Sequence, residues 1–282
     1  MAAESNVLVY GLKNNQVFRC LIKPFMDVYR INRNKKYYGS EDSVIMQSLK
    51  GKYQGKRCFI IGNGPSLRAD DLDKLKKEVT FGTNRIFHIF DKTQWRPTYY
   101  LAVDSDFIQY NYEEIKAVAA KYLFLSNIYH IPWKLKTKNM VSINEYGKFP
   151  VNKWNDTSAF VSEDVSKYFS IGYTVTFTAI QLALYMGFKE IYLLGVDFNY
   201  SRIRDAKGRI RKNDRIEDYF DGKKYHSSVL NYHSALHAYQ MADQYCRDHD
   251  AKIYDATRSG KLNVFEKVVL EDVIEKSMGE NS

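Results

Sequence analysis

The six residues Gly62-Asn-Gly-Pro-Ser-Leu67 are the part of this chain best suited to hold a ligand. Glycines let the backbone approach a bound group closely, and Asn63 and Ser66 add side-chain hydrogen bonds. The turn is not a P-loop, since no Gly-Lys-Ser/Thr follows at the required spacing. Nor is it Gly-x-Gly-x-x-Gly, because Leu67 holds the third glycine's position. A plain tight turn between a strand and a helix would read the same way.

Three more polar residues end apolar runs, where a ligand would be met: Asn84, Asp104 and Asp197. Asp104-Ser-Asp106 has the Asp-x-Asp pattern of a divalent-cation site. Of the six histidines, His233 and His237 are spaced i,i+4 on an expected helix over about 231–249. That spacing can ligate zinc, but the intervening Ser-Ala-Leu lacks the Glu of a His-Glu-x-x-His site. A histidine near a helix start beside a polar loop suits general-base work, because its pKa lies near the operating pH. A surface or capping role is the alternative for His233. Tyr200, Tyr219 and Tyr225 sit where they could donate to a phosphate.

These residues need a scaffold, and the apolar runs supply one. Arg57–Gly62, Val79–Thr83, Thr98–Val103, Tyr122–Ser126, Met140–Ile143, Glu190–Val196 and Lys252–Tyr254 read as strands. Between them, Val175, Ala179, Leu182 and Met186 form one stripe of a helix that stops at Gly187, a natural C′ residue. Alternation of this kind predicts an α/β fold: an open, mostly parallel, Rossmann-like sheet with helices on both faces. Residues 199–230 are polar and aperiodic, as expected of a lid-like loop.

Composition narrows the class. Hydrophobic residues make up 45% of the 282 and charged residues 27%, so the chain is globular and not disordered. No apolar run is long enough for a membrane-spanning helix, and the N-terminus lacks the pattern of a secretory signal. Three scattered cysteines give no disulfide framework. The expected setting is cytoplasmic. Residues 1–57 carry 11 Lys and Arg against 4 Asp and Glu, whereas residues 58–282 carry 31 against 29. The basic excess therefore belongs to an N-terminal appendage (residues 1–56) and not to the Rossmann-like domain expected over residues 57–282. That argues against a nucleic-acid partner. Phe18, Leu21 and Phe25 among Lys and Arg suit peripheral contact of residues 1–50 with an anionic membrane, or packing on the catalytic domain or a partner subunit.

The Gly-Asn-Gly-Pro-Ser-Leu turn, Asn84 and Gly187-Phe-Lys-Glu-Ile-Tyr-Leu-Leu-Gly-Val-Asp-Phe198 together resemble two related groups. One is the bacterial sialyltransferases of glycosyltransferase family 42. The other is the MptE-like family, which includes flagellin-modifying glycosyltransferases and archaeal pterin diphosphokinases. The resemblance spans roughly residues 57–270, and Asp255-Ala-Thr-Arg-Ser-Gly260 with Leu262 and Phe265 looks more like the MptE-like side.

From the sialyltransferases it implies that Gly62, Asn63, Gly64, Ser66 and Asn84 contact the CMP part of a CMP-sugar, with Gly195 and Asp197 bordering the nucleotide. Asp104 matches a residue lining the sugar and acceptor region. His233-Ser234 matches the His-Ser pair that carries the catalytic base. The family's phosphate tyrosine after Asp-Phe is Asn199 here, followed by Tyr200; Asp205 stands at the spacing of the second. Its Ser-Gly pair before the central helix is Val175-Thr176.

The resemblance thus implies an inverting glycosyltransferase. It would move a sialic-acid-like or other ulosonic acid from a CMP donor to a glycan or lipid-linked acceptor, without cofactor or metal. Its alternatives are an ATP-dependent pterin diphosphokinase, which would need Mg²⁺ on Asp104, Asp106 and Asp197, or a non-catalytic nucleotide-sugar-binding module.

Overall fold

The computed structural model describes residues 35–126, 136–146, 155–223 and 229–279, with residues 24, 28, 31 and 32 besides. The Phe18–Leu21–Phe25 pattern and Tyr225 lie outside the described residues. The elements run α1 (Glu41–Ser48), β1 (Arg57–Ile61), α2 (Ala69–Lys74), β2 (Thr80–Thr83), a 3₁₀ turn (Asn84–Ile89) and β3 (Tyr99–Ala102). They continue with α3 (Ser105–Tyr110), α4 (Tyr112–Lys116), β4 (Tyr122–Ser126), β5 (Met140–Ile143), β6 (Glu145–Tyr146), β7 (Phe169–Ser170), α5 (Val175–Tyr185) and β8 (Glu190–Leu194). The chain then forms β9 (Arg202–Arg204), β10 (Ile210–Lys212), β11 (Leu230–Asn231), α6 (Tyr232–Asp248), β12 (Lys252–Asp255), β13 (Glu266–Lys267) and α7 (Leu270–Gly279).

Eight parallel strands make the main sheet, in the order β13-β12-β8-β1-β2-β3-β4-β5. The chain builds outward from β1 to β5, then returns to lay β8 against the other side of β1. That reversal creates a crevice at the carboxyl ends of β1 and β8, the usual ligand position in such sheets. All seven apolar runs identified as strands belong to this sheet.

Strand side chains alternate between two cores. Cys58 and Ile60 face one layer, with Met46 of α1 and the buried sides of α5 and α6. Phe59 and Ile61 face the other, with Leu72 of α2, Ile108 of α3, Ile115 of α4 and Leu270 of α7. The fold is therefore α/β, with helices on both faces of a parallel sheet.

Helix α5 ends where its apolar stripe and Gly187 predict, and Gly187 adopts φ +89°. It is buried almost all round, because it lies between the sheet and α6. Its carbonyls at Tyr185, Met186 and Gly187 accept from the backbone N–H groups of Gly51, Tyr53 and Gly55. The segment before β1 thus caps this helix. Met46 and Leu49 are also buried in the core, and the Tyr37 hydroxyl donates to the Ser142 carbonyl at 2.8 Å. The part of the N-terminal segment from Tyr37 onward is built into the body of the fold and does not hang from it.

The polar stretch from 199 to 230 contains a small sheet, β10-β9-β11, and is fastened to the body. Phe220 N–H donates to the Asn63 carbonyl at 3.0 Å, and His88 Nδ1 lies 3.1 Å from Asp221 Oδ2. The expected lid is thus a structured cover, although its polar strands carry little of the alternation that marks a half-buried strand. Among the described residues no helix is long and apolar enough to cross a membrane.

Candidate functional site

A cleft of about 440 Å³ opens at the β1–β8 crevice. Its size falls in the range of small-molecule sites, roughly 300–1,000 Å³. Gly62, Asn63, Gly64, Asn84, Asp104, Thr176, Gly195, Asp197 and Tyr200 all line it. Residues expected at the site from five separate stretches of sequence therefore meet at one place.

The floor of the cleft is two turns pressed together. A Cβ on Gly62 would stand 2.4 Å from the Gly195 carbonyl oxygen and 2.9 Å from its carbon, so only glycine fits. Gly195 itself takes φ +66° at the end of β8, which disfavours any side chain there. Ser66 donates its N–H to Asp197 Oδ1 at 3.3 Å and its hydroxyl to Oδ2 at 2.8 Å. Ser66, expected to meet the nucleotide directly, instead has its hydroxyl turned to Asp197. Burial pushes the Asp197 carboxyl up against the opposing pull of the Ser66 hydrogen bonds. An acid raised in this way holds its proton more tightly folded than unfolded. It therefore favours folding at low pH and loses that contribution as pH rises through the raised value.

Behind these turns, the Asp255–Lys261 segment acts as a buttress. Thr257 Oγ1 accepts from Val196 N–H at 3.1 Å, and Lys261 N–H donates to the Asp197 carbonyl at 2.8 Å. Arg258 grips the buried Asp71 of α2 with both of its terminal nitrogens. The motif that looks MptE-like thus supports the site from outside the cleft.

Two amides stand over the floor. Asn63 donates through Nδ2 to the Thr83 carbonyl at 2.8 Å and to Thr83 Oγ1 at 3.1 Å, leaving Oδ1 buried without a partner. Asn84 Oδ1 is also buried and unpartnered. Its backbone sits at φ +44° and is fixed by the Tyr100 hydroxyl, which donates to the Asn84 carbonyl at 2.7 Å. Tyr173 (φ +60°) and Phe198 (φ +51°) line the same cleft. Such left-handed conformations cost energy and collect at ligand sites.

The remaining wall is the start of α5 and the cover. Thr174 caps α5, its hydroxyl accepting from Thr176 N–H at 3.3 Å, and Thr174, Thr176 and Thr178 all reach the cleft. A helix N-terminus favours negative charge. Burial pushes the phenols of Tyr200 and Tyr219 up, which keeps them as neutral hydrogen-bonding groups.

Three charged lining residues were not expected from the sequence. Glu145 is 6% exposed and accepts from Ser126 Oγ at 2.8 Å. Asp218 accepts from Ser201 N–H at 2.7 Å and from its hydroxyl at 2.5 Å. Arg202 brings a guanidinium to the cleft from β9. Glu145 lies on a two-residue strand and the other two on the aperiodic cover, so no hydrophobic pattern marks them.

His233 is exposed on the first turn of α6 and does not line the cleft, although Leu230 and Asn231 just before it do. Its ring packs edge-on to Tyr232 with centroids 5.7 Å apart. Ser234 turns inward and accepts from Asp156 N–H at 2.9 Å, which anchors the helix start. Asp104 Oδ1 caps α3 by accepting from Phe107 N–H at 2.8 Å, and Asp106 is exposed. Among the described residues no three His, Cys, Asp or Glu side chains gather as metal ligands would.

An open α/β sheet with a glycine-rich turn and a polar cleft at its switch point defines a ligand-binding protein of the doubly wound class. The chain belongs to the MptE-like family: the family model described as 6-hydroxymethylpterin diphosphokinase MptE-like matches residues 34–202. No curated protein matches it. Among solved structures it is similar to a MAf glycosyltransferase from Magnetospirillum magneticum, at 16% identity and a TM-score of 0.48 over 85% of this chain. The chain spans 41% of that protein's length. It is also similar to the sialyltransferase CstII from Campylobacter jejuni in complex with the substrate analogue cytidine-5'-monophosphate. There the identity is 14% and the TM-score 0.40, covering 76% of this chain and 85% of the other.

Proposed function

We propose that this protein is an inverting glycosyltransferase that uses a CMP-activated sugar, a sialic-acid-like or other ulosonic acid, and a glycan or lipid-linked acceptor. The observation that carries this reading is the pair of buried amide oxygens, Asn63 Oδ1 and Asn84 Oδ1, which lack donors beside a glycine-rich turn. A buried acceptor without a partner is costly, and a nucleobase amine or ribose hydroxyl would satisfy it. The motif resemblance to the family 42 enzymes supports CMP as the nucleotide.

In the proposed reaction the acceptor oxygen attacks the anomeric carbon as the bond from that carbon to the CMP phosphate oxygen breaks. The acceptor proton passes to His233, and the bonding pair leaves with CMP. The exposed position of His233 beside Leu230 and Asn231 suits a base that meets its acceptor from solvent. Thr176, Tyr200 and the α5 N-terminus would stabilise the departing phosphate, and Tyr225 is proposed for the same role. No cofactor is needed. The enzyme would work in the cytoplasm, held at the membrane through the basic residues that precede Tyr37, and a homo-oligomer is compatible with this reading.

Calorimetry tests the donor. CMP should bind more tightly than UMP, GMP or AMP; equal affinity for all four, or none, contradicts the assignment. The family's description favours a second reading, transfer of diphosphate from ATP to a pterin. It requires Mg²⁺, for which Asp104, Asp106 and Asp197 are the candidate ligands.

A further inference from the structure

We propose that Arg202 is the residue with which the cover recognises the phosphoryl group of the ligand, a role that rests on the nucleotide reading above. Among the described residues lining the cleft it is the only Lys or Arg. Its Nε is buried and has no hydrogen-bond partner.

The four carboxylates on the lining do not occupy it. Asp104 accepts from Phe107 N–H, Glu145 from Ser126, Asp197 from Ser66 and Asp218 from Ser201. Among the described residues none of them forms an ion pair with Arg202. A guanidinium donor buried without an acceptor is disfavoured unless something that binds there supplies one. Bidentate recognition of phosphate is the chemistry for which this side chain is best shaped.

The backbone that carries Arg202 is fixed in advance. β9 pairs Arg202 with Lys212 of β10 and lies parallel to β11, while Ser201 holds Asp218 through two hydrogen bonds. The cover therefore presents the guanidinium without a separate ordering step. Thr174, Thr176 and Thr178 at the α5 N-terminus line the same cleft, so the one cation and the helix end act on a common space. The unpartnered guanidinium Nε supplies a local donor for one phosphoryl group, although carboxylates outnumber it on the lining.

The test is a calorimetric panel of cytidine, CMP, adenosine and AMP against the wild type, Arg202→Gln and Arg202→Lys, with thermal melts to confirm folding. The wild type should prefer CMP to cytidine by about tenfold or more, the scale of a charge-assisted hydrogen bond. Arg202→Gln should remove most of that preference while cytidine affinity stays unchanged, and Arg202→Lys should restore part of it. If Arg202→Gln keeps the preference, or the wild type shows none for either nucleotide over its nucleoside, the proposal is overturned. A preference for phosphate that depends on Arg202 but is equal for CMP and AMP upholds Arg202 and contradicts the CMP reading instead.

Discussion

Replacing His233 with alanine should lower turnover by ~10²–10⁴ while leaving CMP affinity nearly unchanged. The split follows from position. His233 is exposed on the first turn of α6, outside the lining of the cleft, so its loss removes no contact with a bound nucleotide. Its proposed partner is the acceptor hydroxyl, whose proton must leave during attack. Steady-state rates with calorimetry on the same variant measure both halves. Unchanged turnover removes His233 from the mechanism, and an equal loss in His237→Ala would point to paired ligation of a metal by the two histidines.

Gly62→Ala should destabilise the fold by about 1–3 kcal/mol and abolish measurable nucleotide binding. The added methyl meets the Gly195 carbonyl at 2.4 Å, and a backbone carbonyl cannot rotate away as a side chain can. Relief requires the two turns to part, which would also loosen the Ser66–Asp197 contact and shift Asn63. Chemical denaturation reads the first effect and calorimetry the second. A variant with wild-type stability and CMP affinity would show that the close approach of the turns is not needed.

Much of this architecture is legible before any coordinates. Cys58, Phe59, Ile60 and Ile61 form an uninterrupted apolar run because both faces of their strand are buried, and the other central strands read the same way. Asn84 and Asp197 stand out because polar residues interrupt such runs only where a strand ends. What a side chain touches is less legible. Ser66 looks free in the sequence, yet its hydroxyl is held by Asp197, 131 residues away. Arg202 and Asp218 sit in a cover too polar for periodicity to reveal, and Glu145 in a strand of two residues. Their placement depends on how distant segments pack, and local pattern carries no trace of it. His233 shows the converse: the sequence singles the residue out, and the structure places it outside the lining of the cleft.

Transfer of a sugar from CMP is decided by incubation with defined substrates. The purified protein is given a CMP-linked ulosonic acid with an acceptor glycan in the presence of EDTA and, separately, ATP with Mg²⁺ and a hydroxymethylpterin. Mass spectrometry follows the products, and NMR the anomeric configuration. The expected products are a glycosylated acceptor of inverted configuration and free CMP, formed at a rate that EDTA leaves unchanged, since amide and hydroxyl donors would stabilise the leaving phosphate. A diphosphorylated pterin formed only with Mg²⁺, and no sugar transfer, would contradict it.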